Sequence, residues 1–262
     1  MFRHILIAHD LSHEADLALQ RAAQLARQHQ ARLTLLHVLD YPDLRQSAQQ
    51  FLERKLQAHA LADSQVQVVG GAATEQIAQH VVLEQADLLV VGAHHQGRPE
   101  RFAGTTLERL ARQCRVPLLL AVGDSPAPYR QALVGLDFSL AACTALQLVH
   151  RLLPSDARLT ALHICEVAPL QASTTDYEPA LFEQLLRDEQ AKLPAGGPTL
   201  EARLLRGERL SRLEQALADP PVQLLALGQH NRSQLSEALL GGLTQQLLRQ
   251  PPCDLLISRS PS

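Results

Sequence analysis

Two aspartates stand at matching places in this chain, each two residues ahead of a serine: Asp10 with Ser12, and Asp137 with Ser139. Each follows a short aliphatic run of the kind that forms a buried strand. A carboxylate there can accept hydrogen bonds from the amino or ribose hydroxyl groups of a ligand. It can equally serve, with its serine, to cap the helix that follows. Two glycine-bearing segments also recur. Gly92 closes the run LLVV and is followed by Gly104-Thr105; Gly228 closes LLAL and is followed by Gly241-Gly242. Glycine lets a backbone approach a phosphate closely, and a helix N-terminus behind it presents unpaired N–H groups. The plain alternative is a strand–helix loop that happens to end in glycine.

Other chemistries find less support. His94-His95 and His230 lie in the two glycine segments, but adjacent side chains on an extended backbone point to opposite sides, and no HExxH occurs. No metal is expected. His37 and His163 each end a strand and are expected to be packed or turned to solvent. There is no GxSxG elbow, no phosphate-binding GxxxxGK[ST] and no lysine near either glycine segment. Cys143 falls within a helical pattern and Cys165 just past a strand, with no neighbour that marks an activated thiolate. No catalytic residue is expected.

These residues are positioned by a pattern that occurs twice. RHILIAHD at Arg3–Asp10 returns as RQALVGLD at Arg130–Asp137, and ARLTLLHV at Ala31–Val38 as ARLTALHI at Ala157–Ile164. ADLLVVG at Ala86–Gly92 returns at Val222–Gly228, and Gly104–Val122 at Gly241–Ser258. The offsets are 127, 126, 136 and 137 residues, so the second copy is longer in its middle, in the stretch 166–198. A repeat of this length is a duplicated domain. The expected division is 1–123 and 129–262, joined at GDSPAP, which continues neither element.

In the first half the periodicity predicts strands at Ile5–Ala8, Leu33–Val38, Val66–Val69, Leu88–Val91 and Pro117–Val122. Helices are predicted from Ser12, over Leu44–Leu61 and Thr74–Gln85, and from Gly104-Thr105 to Cys114. Alternating strands and helices imply an α/β fold: two tandem open five-stranded parallel sheets with helices on both faces, Rossmann-like, in strand order 3-2-1-4-5. In that order the chain reverses between strands 1 and 4, and the crevice at their carboxyl ends is the default ligand site. Asp10 and Gly92 lie there in one half, Asp137 and Gly228 in the other.

Composition sets outer bounds. The chain has 262 residues, 46% apolar and 19% charged, enough to build a packed core. A net charge of −3 and eight aromatics without Trp argue against nucleic acid as a partner. Apolar runs are far short of the roughly 20 residues a membrane span needs. Met1–Asp10 reads at once as a strand and not as a secretory leader, so a cytoplasmic location with reduced thiols is expected.

The segments ILIAHDLS, LTLLHV, ADLLVVGAHHQG and GTTLERLARQCRVPLLLAV, with counterparts VGLDFS, LTALHI, LLALGQHNRS and LLGGLTQQLLRQPPCDLLIS, resemble those of a tandem universal stress protein across both halves. The resemblance implies a stress-response regulatory protein, with ATP bound through G-x2-G-x9-G-[S/T] after strand 4, and Mg²⁺ where ATP binds. It places adenine near the strand-1 aspartate and the residue ending strand 2, which are Asp10 and Val38, or Asp137 and Ile164. In the second half Gly228, Asn231, Gly241 and Gly242 keep the spacing, but Asn231 replaces the second glycine and Gly242 the hydroxyl residue. Arg232 and Ser233 adjoin the pattern there. In the first half Gly104-Thr105 is intact, yet Gly92 to Gly104 is one residue short and His95 stands near the second glycine's place, with Gly97 beyond it. Arg98 and Arg101 are close enough in sequence to add charge. Lost spacing is harder to rescue than one hydroxyl, so the second half is the expected nucleotide site. The alternative is a nucleotide-free protein-interaction module with degenerate loops; a slow ATPase ranks third. Relatives pair through the last strand, so Pro117–Val122 and Cys253–Ser258 are expected to meet within one chain as a pseudo-dimer, with a homodimer of whole chains beyond that.

Overall fold

A computed structural model describes residues 2–39, 41–93, 105–166, 177–229 and 242–259. The chain divides into two compact units: residues 1–128 with 245–254, and 129–244 with 255–262. The sequence repeat and the compact units therefore part at Gln245–Asp254, which belongs with the first unit.

The first unit runs β1 (His4–Ala8), α1 (His13–His29), β2 (Arg32–Leu39), a 3-10 turn at Pro42–Leu44, α2 (Arg45–Gln57), β3 (Ser64–Gly70), α3 (Ala73–Leu83), β4 (Leu88–Gly92), α4 (Thr105–Gln113) and β5 (Leu118–Ala121). Its strands lie in the order β3-β2-β1-β4-β5, and every neighbouring pair is parallel. The residues of β1, β4 and β5 are buried almost throughout, as a parallel sheet with both faces covered requires. The predicted helix Leu44–Leu61 is shorter than expected, because Pro42–Leu44 forms a 3-10 turn and the chain leaves helix after Gln57.

The second half of the chain runs β6 (Gln131–Gly135), α5 (Leu140–Leu152), β7 (Arg158–Cys165), α6 (Glu178–Gln190), β8 (Thr199–Arg206), α7 (Arg209–Ala218), β9 (Leu224–Gln229), α8 (Gly242–Arg249) and β10 (Asp254–Arg259), of which α8 from Gln245 onward and Asp254 belong to the first compact unit. The order is β8-β7-β6-β9-β10, the same 3-2-1-4-5 arrangement. Its β6–β7, β6–β9 and β7–β8 pairs are parallel.

α1 and α5 start alike. Ser12 and Ser139 are N-caps whose hydroxyls accept from the N–H of Ala15 and Ala142, both at 3.1 Å. Each helix then turns an alanine- and leucine-rich face to its sheet: Ala15, Ala18, Leu19, Ala22 and Leu25 are buried in α1, and Ala141, Ala142, Ala145, Leu146 and Val149 in α5. Small side chains in the first turn let the helix sit close against the sheet, and that closeness shapes the crevice.

Candidate functional site

The crevice of the first unit opens where β1, β2 and β4 end. A cleft of about 730 Å³ lies there, lined by Asp10, His37, Val38 and Gly92 from the strand ends, with Thr74 from the start of α3 and Arg109 from α4. The first turn of α3 borders the cleft and follows Ala72, which makes no side-chain cap, so its leading N–H groups have no capping oxygen and favour an anion, while Glu75 in the same turn brings a carboxylate to the lining.

Asp10 does both things its position allows. Its Oδ1 accepts from the Ser12 N–H at 3.0 Å, which sets up the cap of α1, and the same residue borders the cleft. Asp137 accepts from the N–H of Ser139 at 3.3 Å and from its hydroxyl at 2.6 Å. Between each Asp and Ser the chain takes a left-handed turn at a non-glycine residue, Leu11 at φ 68° and Phe138 at φ 64°. A side chain costs about 1 kcal/mol in that conformation, and the Asp–Ser hydrogen bonds hold it.

His37 and His163 are packed, not solvent-facing. The Nδ1 of His37 donates to the His9 carbonyl at 2.6 Å, and that of His163 to the Leu136 carbonyl at 2.7 Å. A carbonyl only accepts, so Nδ1 carries the proton and Nε2 is left as the basic nitrogen in the neutral ring. Behind the first site His9 forms a relay. Its Nδ1 accepts from the Leu11 N–H at 2.9 Å and its Nε2 donates to Asp16 Oδ1 at 3.0 Å, while Lys55 holds Asp16 Oδ2 at 2.7 Å.

Burial holds the His9 pKa below the usual imidazole range, against the opposing pull of Asp16. Partial burial pushes Asp16 up, but the hydrogen bonds from Lys55 and His9 outweigh it and hold the carboxyl low. His59 and His150 are also depressed by burial. For a histidine depressed in the fold, the unfolded chain takes the proton more readily. This contribution to stability is therefore complete above the ordinary imidazole value and is lost as pH falls through the folded-state values. The melting temperature is expected to fall between about pH 7 and about pH 5, with a shallower slope for His9→Gln. A flat profile over that range would contradict it.

Of the residues singled out from sequence, Asp10, Val38 and Gly92 come together around one cleft. Asp137, Ile164 and Gly228 hold the matching places in the second unit. Val38 and Ile164 are the penultimate residues of their strands, because β2 and β7 run one residue further, to Leu39 and Cys165. Cys165 is thus inside β7 and not just past it. Thr105 opens α4, and Gly242 opens α8 with open space where a Cβ would stand. Gly97, Gly104, Asn231, Arg232, Ser233 and Gly241, with His94, His95, Arg98, Arg101 and His230, lie outside the described residues.

The second unit differs beside the strand-2 end. The first buried side chain of the helix following that strand is Ala48 in α2 but Phe182 in α6. The Phe182 ring stacks on His163 at 5.5 Å, and Phe138 meets the same ring edge-on at 4.6 Å. Burial, with Glu178 next in effect, pushes the Cys165 thiol up to about 11; burial, with Glu189, does the same for Cys143. Both are thiols at neutral pH and poor nucleophiles.

The model of the Universal stress protein family matches residues 1–121 and again 128–259. The chain belongs to the universal stress protein family. A universal stress protein of Thermus aquaticus, from the QAH/OAS sulfhydrylase 3' region, is 33% identical over 135 residues, covering 46% of this chain and 98% of its own. Among solved structures, a universal stress protein from Archaeoglobus fulgidus DSM 4304 matches with a TM-score of 0.77 at 15% identity over 98% of both chains. A putative universal stress protein from Pseudomonas aeruginosa UCBPP-PA14 matches at 0.71 and 18% identity over 98% of this chain and 93% of its own. At those identities the likeness is one of fold, and it extends over both tandem domains of this universal stress protein. Among the described residues no helix is long and apolar enough to cross a membrane.

Proposed function

We propose that this universal stress protein is a nucleotide-responsive binding protein whose first domain takes an adenine nucleotide, ATP with Mg²⁺, in the cleft at the ends of β1, β2 and β4. The cleft itself carries the reading. Its volume of about 730 Å³ falls within the roughly 300–1,000 Å³ of small-molecule sites. Asp10 offers a carboxylate to adenosine N–H or O–H groups, and Val38 an apolar wall. The uncapped start of α3 and Arg109 supply positive potential for phosphate, opposed by Glu75 in the same lining, whose charge Mg²⁺ would offset. The second domain, preferred on loop spacing, is the weaker candidate because the rings of Phe138 and Phe182 both pack on His163 beside its strand-2 end.

The test is to denature the purified full-length protein, identify released nucleotide by chromatography, and titrate ATP and Mg²⁺ into the stripped protein by calorimetry. Asp10→Asn retains an oxygen for the Ser12 N–H but removes the charge and one acceptor. It is expected to weaken binding about tenfold, the worth of one hydrogen bond, while Asp137→Asn leaves affinity unchanged. If Asp137→Asn weakens binding instead, the second domain holds the nucleotide. No released nucleotide and no heat up to millimolar ATP would sink the reading and leave a protein-interaction module as the better account.

A further inference from the structure

Three potential ligand atoms converge in the second domain on residues the nucleotide reading does not use. His163 Nε2, Cys165 Sγ and a Glu178 carboxylate oxygen all lie within 4.8 Å of one another. His163 and Cys165 are 7% and 1% exposed. The imidazole is held on three sides: Nδ1 by the Leu136 carbonyl, one face by Phe182, and an edge contact by Phe138. Its remaining nitrogen, Nε2, is buried and has no hydrogen-bond partner among the described residues, and neither has Glu178 Oε2, 4.0 Å away. A buried imidazole nitrogen left unpaired beside an unpaired carboxylate oxygen is costly unless something fills the space between them.

We propose that His163, Cys165 and Glu178 form a binding site for a thiophilic divalent cation, Zn²⁺ by preference, with a fourth position open to water. Thiolate, imidazole and carboxylate together suit Zn²⁺ better than the hard cations Mg²⁺ or Ca²⁺. The Nδ1–carbonyl bond is the outer-shell support that metal-binding histidines use to aim Nε2. Tetrahedral Zn²⁺ asks for ligand atoms roughly 3.3–3.6 Å apart, so a separation of 4.8 Å must close by roughly 1.2–1.5 Å. Glu178 can supply that movement, since it is the first residue of α6 and its side chain is 39% exposed. On binding, the Cys165 S–H bond breaks, its proton leaves to solvent, and a sulfur–metal bond forms. The first domain contains its own control. His37 makes the same Nδ1 bond at the same strand position, but Leu39 stands where Cys165 does.

Chelator-stripped full-length protein titrated with Co²⁺ is expected to develop, at one equivalent, a near-ultraviolet thiolate-to-cobalt charge-transfer band and intense visible bands of tetrahedral Co²⁺, both bleached by Zn²⁺. Cys165→Ser should abolish the charge-transfer band, and Glu178→Gln should raise the Zn²⁺ dissociation constant more than about 100-fold, beyond the effect of losing outer-shell support. Cys143→Ser and Cys253→Ser should leave both unchanged. Glu178→Gln alters a partly exposed residue, so it decides the matter even if Cys165→Ser fails to fold. The proposal is overturned if no band forms in the unaltered protein, if the band survives Cys165→Ser, or if Glu178→Gln binds Zn²⁺ as tightly as the parent.

Discussion

Asp254→Ala is expected to cost the fold about 3–5 kcal/mol, the penalty for breaking a buried ion pair from one side. Asp254 and Arg21 have side chains 1% and 3% exposed, joined at 3.1 Å from Arg21 Nε to Asp254 Oδ2. The other carboxylate oxygen accepts from the N–H groups of Val122 and Gly123, both at 2.7 Å. The guanidinium in turn donates to the carbonyls of Ser125 and Ala127, at 2.8 and 2.7 Å, and to Gln24 at 2.9 Å. Removing the carboxylate strands two backbone donors and a buried cation. Arg21→Ala should cost a similar amount. The double variant should cost much less than the sum of the two, because the partners act as one unit. Denaturant unfolding of the four proteins measures this directly. A loss below about 1 kcal/mol for Asp254→Ala, the size of a surface pair, would show that the pair is not the tie it looks to be.

Gly92→Ala and Gly228→Ala are each expected to destabilise by at least about 3 kcal/mol, at the upper end of overpacking costs. A Cβ on Gly92 would stand 2.5 Å from the Glu14 carbonyl oxygen and 2.9 Å from the Ala15 nitrogen. On Gly228 it would be closer still to the backbone of Ala141 and Ala142. These contacts are backbone in the first turn of α1 or α5, which a rotamer change cannot relieve. In both domains, then, the glycine at the end of the fourth strand lets the capped helix rest against it. A loss of nucleotide binding in a bulky Gly228 variant would report this packing as much as any phosphate contact. For that reason Asp10→Asn is the cleaner probe of the site. Near-parental stability of either alanine variant would contradict the packing account.

Much of the architecture was legible because it rests on local periodicity and repetition. Ile5–Ala8, Leu33–Val38 and Leu88–Val91 fall inside observed strands, since fully buried parallel strands read as aliphatic runs. Ser12 and Ser139 cap the helices they precede, a signal carried within four residues of chain. The strand order followed from crossover handedness, and with it the meeting of Asp10, Val38 and Gly92. The limits of α2 differ from the expected ones because a 3-10 turn before it and i→i+3 turns after it involve weak local preferences that packing overrides.

The sequence by itself determined the duplication, the α/β class, the strand order, the family and the capped Asp-x-Ser turns. Each of these depends on side-chain type at short spacing or on similarity along the chain. Only the tertiary structure decided what five residues do. Arg21 is buried against Asp254, 233 residues away. Gly228 kept the spacing of a phosphate-loop pattern and Gly92 fell one residue short of it, yet each sits against helix backbone. His163, expected to be packed or turned to solvent, has one nitrogen satisfied and the other close to Cys165 and Glu178. Phe182 stacks its ring on His163. The physical reason is common to all of them. Burial, close approach and ligand convergence are set by which distant segments the fold brings within a few ångströms, and residue spacing along the chain does not carry that distance.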